Sequence, residues 1–234
     1  MSYDYRADIK LVNEHVQQGA ENFRDMLYFV LATIQQQLET VPAIADAFRE
    51  DGGGSAYAFG SKAHGVDYVG QHYDDLYQEA MEALGGSSVG VSHRLMRIFL
   101  EVPGIGLVKA GFCAQLFANK VGCIDVHNIR MYDVPMTAVR YPKQALPATR
   151  EKYISRYLDL CKGLGGSTAL WAKWCHYVHT QRPKNWANGG DVSYFHYAVI
   201  SRQYDTAEHV FFHDLDYQPK FVAVRLEATI EGEI

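Results

Sequence analysis

The sequence lacks most of the features, such as disulfides and metal sites, that stabilise small or secreted proteins in addition to a hydrophobic core. Its four cysteines lie inside apolar stretches and include no Cys-x-x-Cys pair, which argues against zinc and iron–sulfur sites and favours reduced thiols. The longest apolar run, Met26 to Ile34, is about half as long as a membrane-spanning helix. No secretory leader is expected at the N-terminus. These absences predict a soluble cytoplasmic protein that uses neither a metal nor a cofactor.

The composition nevertheless provides enough apolar sequence for an ordinary core. Of the 234 residues, 48% are hydrophobic and 21% are charged, which excludes a disordered chain. No internal repeat is visible, and the length suits one large domain or two closely packed halves. We therefore expect a single domain over residues 1–234, and a monomer.

Charge is distributed unevenly along the chain. Residues 1–90 carry a net charge of −9, residues 91–156 carry +6 and residues 157–234 carry −2, within a total of −5. A basic stretch between acidic ones concentrates positive potential where a polyanion can dock. An uneven distribution of charge over a solvated surface explains the same counts. The charge distribution therefore indicates a polyanion-binding site only if a motif supports it.

Apolar residues recur at helical spacing through most of the chain and predict a mainly α fold of about eight to ten helices. The predicted helices are two between Asn22 and Arg49, and then 74–84, 93–101, 109–119, 126–132, 148–162, 167–180 and 206–213. The residues from 51 to 70, rich in glycine and tyrosine, are expected to form a loop or lid. Residues 221–230 fit a short C-terminal strand as well as a helix.

The most informative segment, residues 95–119, places an apolar helix end, a Pro-Gly-Ile-Gly turn and a new helix start in immediate succession. This order predicts a helix-hairpin-helix. Gly104 and Gly106 allow a tight turn and a close backbone approach, and the amides at the start of the second helix favour an anion. Lys109, one turn into that helix, adds positive charge, so the expected ligand is a DNA phosphate. A plain turn between two helices is the alternative.

One carboxylate stands alone after the hairpin, in the segment 122–132. Asp125 is the only Asp or Glu between Glu101 and Asp133, and it follows an apolar pair. It stands at a predicted helix start, where the helix dipole favours its ionised form. The ordinary function of such an aspartate is an N-cap. With the hairpin immediately upstream, we favour a catalytic function.

The two segments, VPGIGLVKAGF and CIDVHNIRMY, together resemble the helix-hairpin-helix DNA glycosylase superfamily. Members of that superfamily carry an L-P-G-[VI]-G-x-x-x-A hairpin followed by a V-D-T-H-x-x-R segment. The resemblance implies a two-lobed helical fold that binds double-stranded DNA and flips a modified base out of the duplex. It also makes Asp125 the residue that activates water or stabilises an oxocarbenium-like sugar.

The resemblance assigns DNA contacts to matching positions of the hairpin and of the segment after it. The residues concerned are Gly104, Ile105, Gly106, Val108, Lys109, His127 and Arg130. Val108 stands where bifunctional members carry a Schiff-base lysine, so no lyase step is expected, and Lys109 is expected to face a phosphate instead. The helix ending in Gln35-Gln36-Gln37 resembles a family helix whose final Gln probes the duplex. We choose Gln36 for this function. The alternative is that Gln35, Gln36 and Gln37 are only exposed to solvent.

The same residues also resemble a phage-associated branch of the superfamily, the alpha-glutamyl/putrescinyl thymine pyrophosphorylase or amino acid:DNA transferase group. The leading prediction is a monofunctional glycosylase that acts on a modified or hypermodified pyrimidine in a bacterial or phage-infected cell. The alternative is a transferase that builds a hypermodified thymine in the same pocket. A non-catalytic DNA-binding module is the third hypothesis.

Aromatic and histidine residues elsewhere have both a functional and a structural interpretation. Trp171 and Trp174 are expected to pack in the core. His176 and His179 are spaced as two metal ligands, but no third ligand lies nearby in sequence, so a structural function is expected. The residues that we consider for holding a flipped base, with a surface cluster as the equal alternative, are Tyr57, Phe59, Tyr68 and Tyr73.

Overall fold

The computed structural model describes residues 5–36, 40–50, 60–87 and 90–180, and within these ranges it forms ten α-helices and no strand. The helices are α1 Tyr5–Gln17, α2 Ala20–Ala32, α3 Val41–Glu50, α4 Ser61–Gly85, α5 Val91–Glu101, α6 Leu107–Ala118, α7 Val126–Met131, α8 Met136–Val139, α9 Pro147–Gly163 and α10 Gly166–Thr180. The mainly α fold is therefore confirmed. None of these helices has the length and apolarity needed to cross a bilayer.

Most predicted helices agree with the observed ones to within a few residues at each end, but three regions differ. Neither α1 nor the four-residue helix α8 was predicted. The prediction that a loop extends to Gly70 is wrong, because α4 begins at Ser61. Val66 and Val69 are buried along α4 at helical spacing, and the glycine and tyrosine residues around them conceal that spacing in the sequence. The elements predicted for 206–213 and 221–230 lie outside the described residues.

The central helix of the fold is α2. Every residue from Met26 to Ala32 is buried, so the C-terminal half of this helix is apolar on all sides rather than amphipathic. It packs against α1, α3, α4 and α6. In its first turn, Phe23 contacts Phe99 of α5 and Phe117 of α6, with ring centroids 5.9 and 5.4 Å away. Because of these contacts, α2 fixes the position of α5 and α6. These are the helices on either side of the turn at residues 102–106, which is called the hairpin turn below.

The first turn of α4 packs directly on the hairpin turn. A Cβ atom at Gly65 would overlap the Pro103 carbonyl oxygen. A Cβ atom at Gly104 would lie 2.9 Å from the Ser61 carbonyl oxygen, and Gly104 also has a φ of +83°, in the left-handed region that favours glycine. The absence of side chains at these two glycines therefore brings the start of α4, including Lys62, beside the hairpin.

Glu151 connects α9 to α5 through hydrogen bonds at the surface. Its carboxylate accepts hydrogen bonds from Arg97 Nε and Nη2 at 2.8 and 2.9 Å, and His93 Nδ1 lies 3.3 Å from Glu151 Oε2. The hydrogen bonds from Arg97 lower the pKa of Glu151. Since both side chains are partly exposed, solvent weakens this interaction and its contribution to stability is modest.

We expect Glu151→Gln to lower the free energy of unfolding at pH 7 by about 0.5–1 kcal/mol, the upper part of the range for exposed ion pairs. Because the folded-state pKa of Glu151 is lowered, the stabilisation is present above the pKa of an unfolded glutamate and is lost as the pH falls through the folded-state pKa. Urea unfolding at pH 7 and at about pH 3 measures this dependence, and the difference from wild type should shrink at the lower pH.

The control is Glu82→Gln, because Glu82 is exposed and forms no ion pair with any residue that the structure describes. This variant should unfold like the wild type at both pH values. An equal loss of stability in both variants would contradict the assignment to the Arg97–Glu151 pair.

Candidate functional site

The hairpin turn runs from Val102 to Gly106, between the end of α5 and the start of α6. Its centre is held by Ile105, whose amide donates a hydrogen bond to the Val102 carbonyl oxygen at 3.1 Å and whose side chain is fully buried. Neither the amide nor the side chain of Ile105 is therefore available to a phosphate. Ile105 therefore has a structural function within the turn, and the expected DNA contact there stays a prediction.

The amides at the start of α6 are the hydrogen-bond donors that the hairpin presents. Gly106 is the N-cap residue, with an extended backbone and no side-chain cap, and the Ala110 amide closes the first turn on its carbonyl oxygen at 2.8 Å. The amides of Leu107, Val108 and Lys109 have no acceptor among the described residues. This arrangement of donors at a helix N-terminus suits an anion such as a DNA phosphate.

The Lys109 side chain turns toward α2. Its ammonium donates a hydrogen bond to Thr33 Oγ1 at 2.7 Å, and Nζ lies 5.6 Å from the centre of the Phe112 ring. The residue is half-buried. The lysine is thus directed at the C-terminal end of α2, whereas the sequence analysis expected it to face a phosphate outside the hairpin.

Asp125 is the N-cap of α7. Its Oδ1 accepts hydrogen bonds from the backbone amide of Asn128 at 2.9 Å and from Asn128 Nδ2 at 3.2 Å. Its carbonyl oxygen accepts the first backbone hydrogen bond of the helix, from Ile129 at 2.9 Å. The carboxylate is half-buried and held in one orientation by these bonds. The capping function is therefore observed, and the catalytic function stays a prediction.

The segment that leads to Asp125 is anchored by Tyr157 of α9. The Tyr157 hydroxyl donates a hydrogen bond to the Gly122 carbonyl oxygen at 2.9 Å and accepts one from the Ile124 amide at 3.1 Å. Tyr157 is fully buried, and burial raises the pKa of its phenol, so the hydroxyl keeps its proton. Tyr157 is a positioning residue for Asp125 that no local sequence pattern indicates.

Close packing on α6 completes this anchor. A Cβ atom at Gly111 would lie 2.5 Å from the Gly122 carbonyl oxygen and 2.7 Å from Tyr157 Oη, and a Cβ atom at Gly122 would overlap Leu170 of α10. Only glycine at these positions allows α6, α9 and α10 to close around the segment before Asp125.

The three described cysteine thiols near the site are free and buried. Burial raises the pKa of Cys113, Cys123 and Cys161, the last to about 12, so these thiols are protonated and poor nucleophiles. At Cys123 the charge of the Asp125 carboxylate raises the pKa further and the charge of the Lys109 ammonium opposes the rise. These three cysteines form no disulfide in the described structure, and the expectation of reduced thiols stays a prediction.

The remaining expected DNA contacts are spread around this region. Gln36 is half-buried and lies four residues after the end of α2, next to Gln35, whose φ is +55°. Arg130 is exposed in the last turn of α7. The side chain of His127 and all of Gln37 lie outside the described part of the chain. These assignments stay predictions.

The aromatic residues divide between helix α4 and the core. Tyr68 and Tyr73 lie on α4 rather than in a loop, and Tyr68 stacks on His72 with ring centroids 4.3 Å apart, which corrects their expected placement. Trp171 and Trp174 are buried and stack on each other at 5.3 Å, so their packing in the core is confirmed. Tyr57 and Phe59 and the side chains of His176 and His179 lie outside the described residues.

Two surface clefts, of about 230 and 440 Å³, lie beside the α5–α9 contact, and neither is lined by Asp125 or Lys109. Within the described ranges, no group of three or more His, Cys, Asp or Glu side chains is arranged to hold a metal ion. The chain matches no protein-family model, no curated protein and no solved structure. The interpretation of the site therefore depends on its own geometry.

We expect Gly111→Ala to destabilise the protein by about 1–3 kcal/mol, because overpacking against the Gly122 carbonyl and Tyr157 outweighs the gain of about 1 kcal/mol in helix propensity. Urea unfolding measures the change. Gly85→Ala is the matched control, since Gly85 is helical and a Cβ atom there meets nothing within 4 Å. If the two variants are equally stable, the close contact at Gly111 is not a constraint on the fold.

Proposed function

We propose that the protein is a DNA-modifying enzyme that binds duplex DNA through the hairpin, flips a modified base and cleaves its N-glycosidic bond with the help of Asp125. The observation that carries the proposal is the anchoring of Asp125 beside the hairpin helix. Tyr157 and Gly111 hold the backbone before Asp125 against α6, so a DNA strand docked at the start of α6 has a fixed relation to the carboxylate.

Docking of DNA is supported by the amides of Leu107, Val108 and Lys109, which have no acceptor within the described chain. The surrounding residues 91–156 carry a net charge of +6, which favours a polyanion over a neutral ligand. Contacts of this kind position a duplex without reading its sequence. Selection of the target nucleotide then depends on the cost of flipping, a few kcal/mol, which is lowest for poorly stacked or damaged bases.

Cleavage is supported by the orientation of Asp125. Two hydrogen bonds from Asn128 hold its carboxylate in one orientation, and a carboxylate is the group required both for activating water and for opposing the positive charge of an oxocarbenium-like sugar. The buried thiols and the Tyr157 phenol keep their protons and do not compete as nucleophiles. We place this activity in the cytoplasm of a bacterial or phage-infected cell, in a monomer without cofactor.

We expect Asp125→Asn to abolish release of the base and to leave the affinity for duplex DNA within a few-fold of wild type. An asparagine keeps the N-cap hydrogen bond but supplies neither a base nor a negative charge. The measurement is mass spectrometry of nucleosides and free bases after incubation with phage DNA that contains modified pyrimidines, combined with a binding titration on the same DNA.

Asp133→Asn is the control, because Asp133 is exposed and its φ of +50° is one that asparagine also adopts readily. Full turnover by Asp125→Asn would remove Asp125 from catalysis. If the products contain a heavier nucleoside instead of a free base, the protein is the transferase and not the glycosylase. If the nucleosides are unchanged, it is a DNA-binding module.

We propose Gln36 as the side chain that fills the space left by a flipped nucleotide. An amide both donates and accepts hydrogen bonds toward the orphaned base without the desolvation cost of a charge. Gln36→Ala should therefore lower activity on duplex DNA and have little effect on the same modified base in single-stranded DNA, where nothing has to be held open.

The comparison variant is Gln18→Ala, at the exposed turn before α2 and therefore at the opposite end of that helix. It should leave both activities unchanged. Equal small effects of Gln36→Ala on the two substrates would exclude Gln36 from the site.

A further inference from the structure

Two lysine side chains from different helices meet at the C-terminal end of α2. Lys109 of α6 donates a hydrogen bond to Thr33 Oγ1 at 2.7 Å, and Lys62 of α4 donates a longer one to the Ile34 carbonyl oxygen at 3.4 Å. Only 3% of the Lys62 surface is exposed. Because Thr33 and Ile34 are neighbours in the chain, the two ammonium groups both lie at the end of α2.

This pair of positive charges has no counter-charge in the described part of the chain. Neither Lys62 nor Lys109 forms an ion pair with a carboxylate there, although buried charges in proteins are normally paired. Burial lowers the pKa of Lys62, and the charge of Lys109 lowers it further. The two ammonium groups therefore repel each other, and only the half-buried Lys109 is partly open to solvent.

The groups around the lysines compensate these charges only in part. The rings of Phe48 and Phe112 lie 5.5 and 5.6 Å from the Lys62 and Lys109 nitrogens, and the last carbonyls of α2 carry partial negative charge. The first turn of α4 also packs on the hairpin turn, so the positive ends of α4 and α6 lie at this side of the molecule. A bound anion would remove the repulsion that these groups leave.

We propose that Lys62 and Lys109 bind a phosphate monoester or inorganic phosphate. A phosphate of this kind carries a charge of about −1.5 to −2 at pH 7 and three acceptor oxygens, which matches two ammonium groups better than a carboxylate or a phosphodiester with a single charge. Lysine binds such a group as a compact charge with several donors. The proposal goes beyond the proposed function, because it requires neither the hairpin amides nor cleavage by Asp125.

The test is a thermal unfolding series with inorganic phosphate at an ionic strength held constant with sodium chloride, supported by calorimetric titration. The melting temperature of the wild-type chain should rise with phosphate and level off at saturation. Lys62→Met and Lys109→Met should each lose at least tenfold in phosphate affinity. Lys152→Met is the control, because Lys152 is exposed and forms no ion pair with a described residue, and it should bind phosphate like the wild type.

The methionine variants also separate ligand binding from a purely structural function. Methionine has a similar length and no charge, so removing the repulsion should leave the melting temperature without phosphate equal to or above that of wild type. If the lysines serve only to cap α2, both variants should melt at lower temperature and phosphate should act on all proteins alike. That result, or a phosphate effect no larger than that of chloride, would overturn the proposal.

Two further titrations distinguish the source of the phosphate group. A 5′-phosphorylated oligonucleotide that binds more tightly than its 5′-hydroxyl counterpart, with the difference lost in Lys62→Met, identifies a DNA end. Equal binding of the two oligonucleotides, together with competition by a nucleoside monophosphate, identifies a free small ligand. Asp125→Asn should retain phosphate binding in either case, so loss of base release and loss of phosphate binding are separate outcomes.

Discussion

The described structure depends on backbones that approach each other more closely than side chains normally allow. At Gly65 and Gly104 the first turn of α4 lies against the hairpin turn, and at Gly111 and Gly122 α6 lies against the segment that leads to Asp125. Because protein interiors are close-packed, no void is available to absorb a Cβ atom at these positions. The absence of a side chain at each of these four glycines therefore sets how closely the hairpin turn approaches the start of α4 and how closely α6 approaches the segment before Asp125.

Asp125 shows how one residue meets a structural and a chemical requirement together. An N-cap aspartate and a catalytic aspartate both need a carboxylate in a fixed orientation, and the hydrogen bonds from Asn128 fix that orientation at the start of α7. Tyr157 supports the same residue from α9 through the backbone of Gly122 and Ile124. The capping bonds are therefore compatible with the proposed chemistry and provide part of its geometry.

Burial has opposite consequences for the titratable groups around this region. It keeps the proton on Cys123 and on Tyr157, which makes these groups neutral and structural. For Lys62 it opposes the charged form, and the neighbouring Lys109 adds repulsion. A neutral group can be buried without an ion-pair partner, whereas burying two lysine ammonium groups without one costs free energy. The unbalanced charge is thus found where α2, α4 and α6 meet.

The sequence by itself determined the features that depend on neighbouring residues. A turn between two helices at residues 102–106 and a helix start after Asp125 are observed where they were predicted, because a Pro-Gly turn and a helix start are local properties of the chain. Only the tertiary structure decided the burial of Ile105, the direction of the Lys109 side chain and its meeting with Lys62. These features join residues far apart in sequence, on α2, α4 and α6, and no local period encodes which faces of separate helices pack together. The first half of α4 was missed for a related reason, since its helical spacing is visible only once the packed face is known.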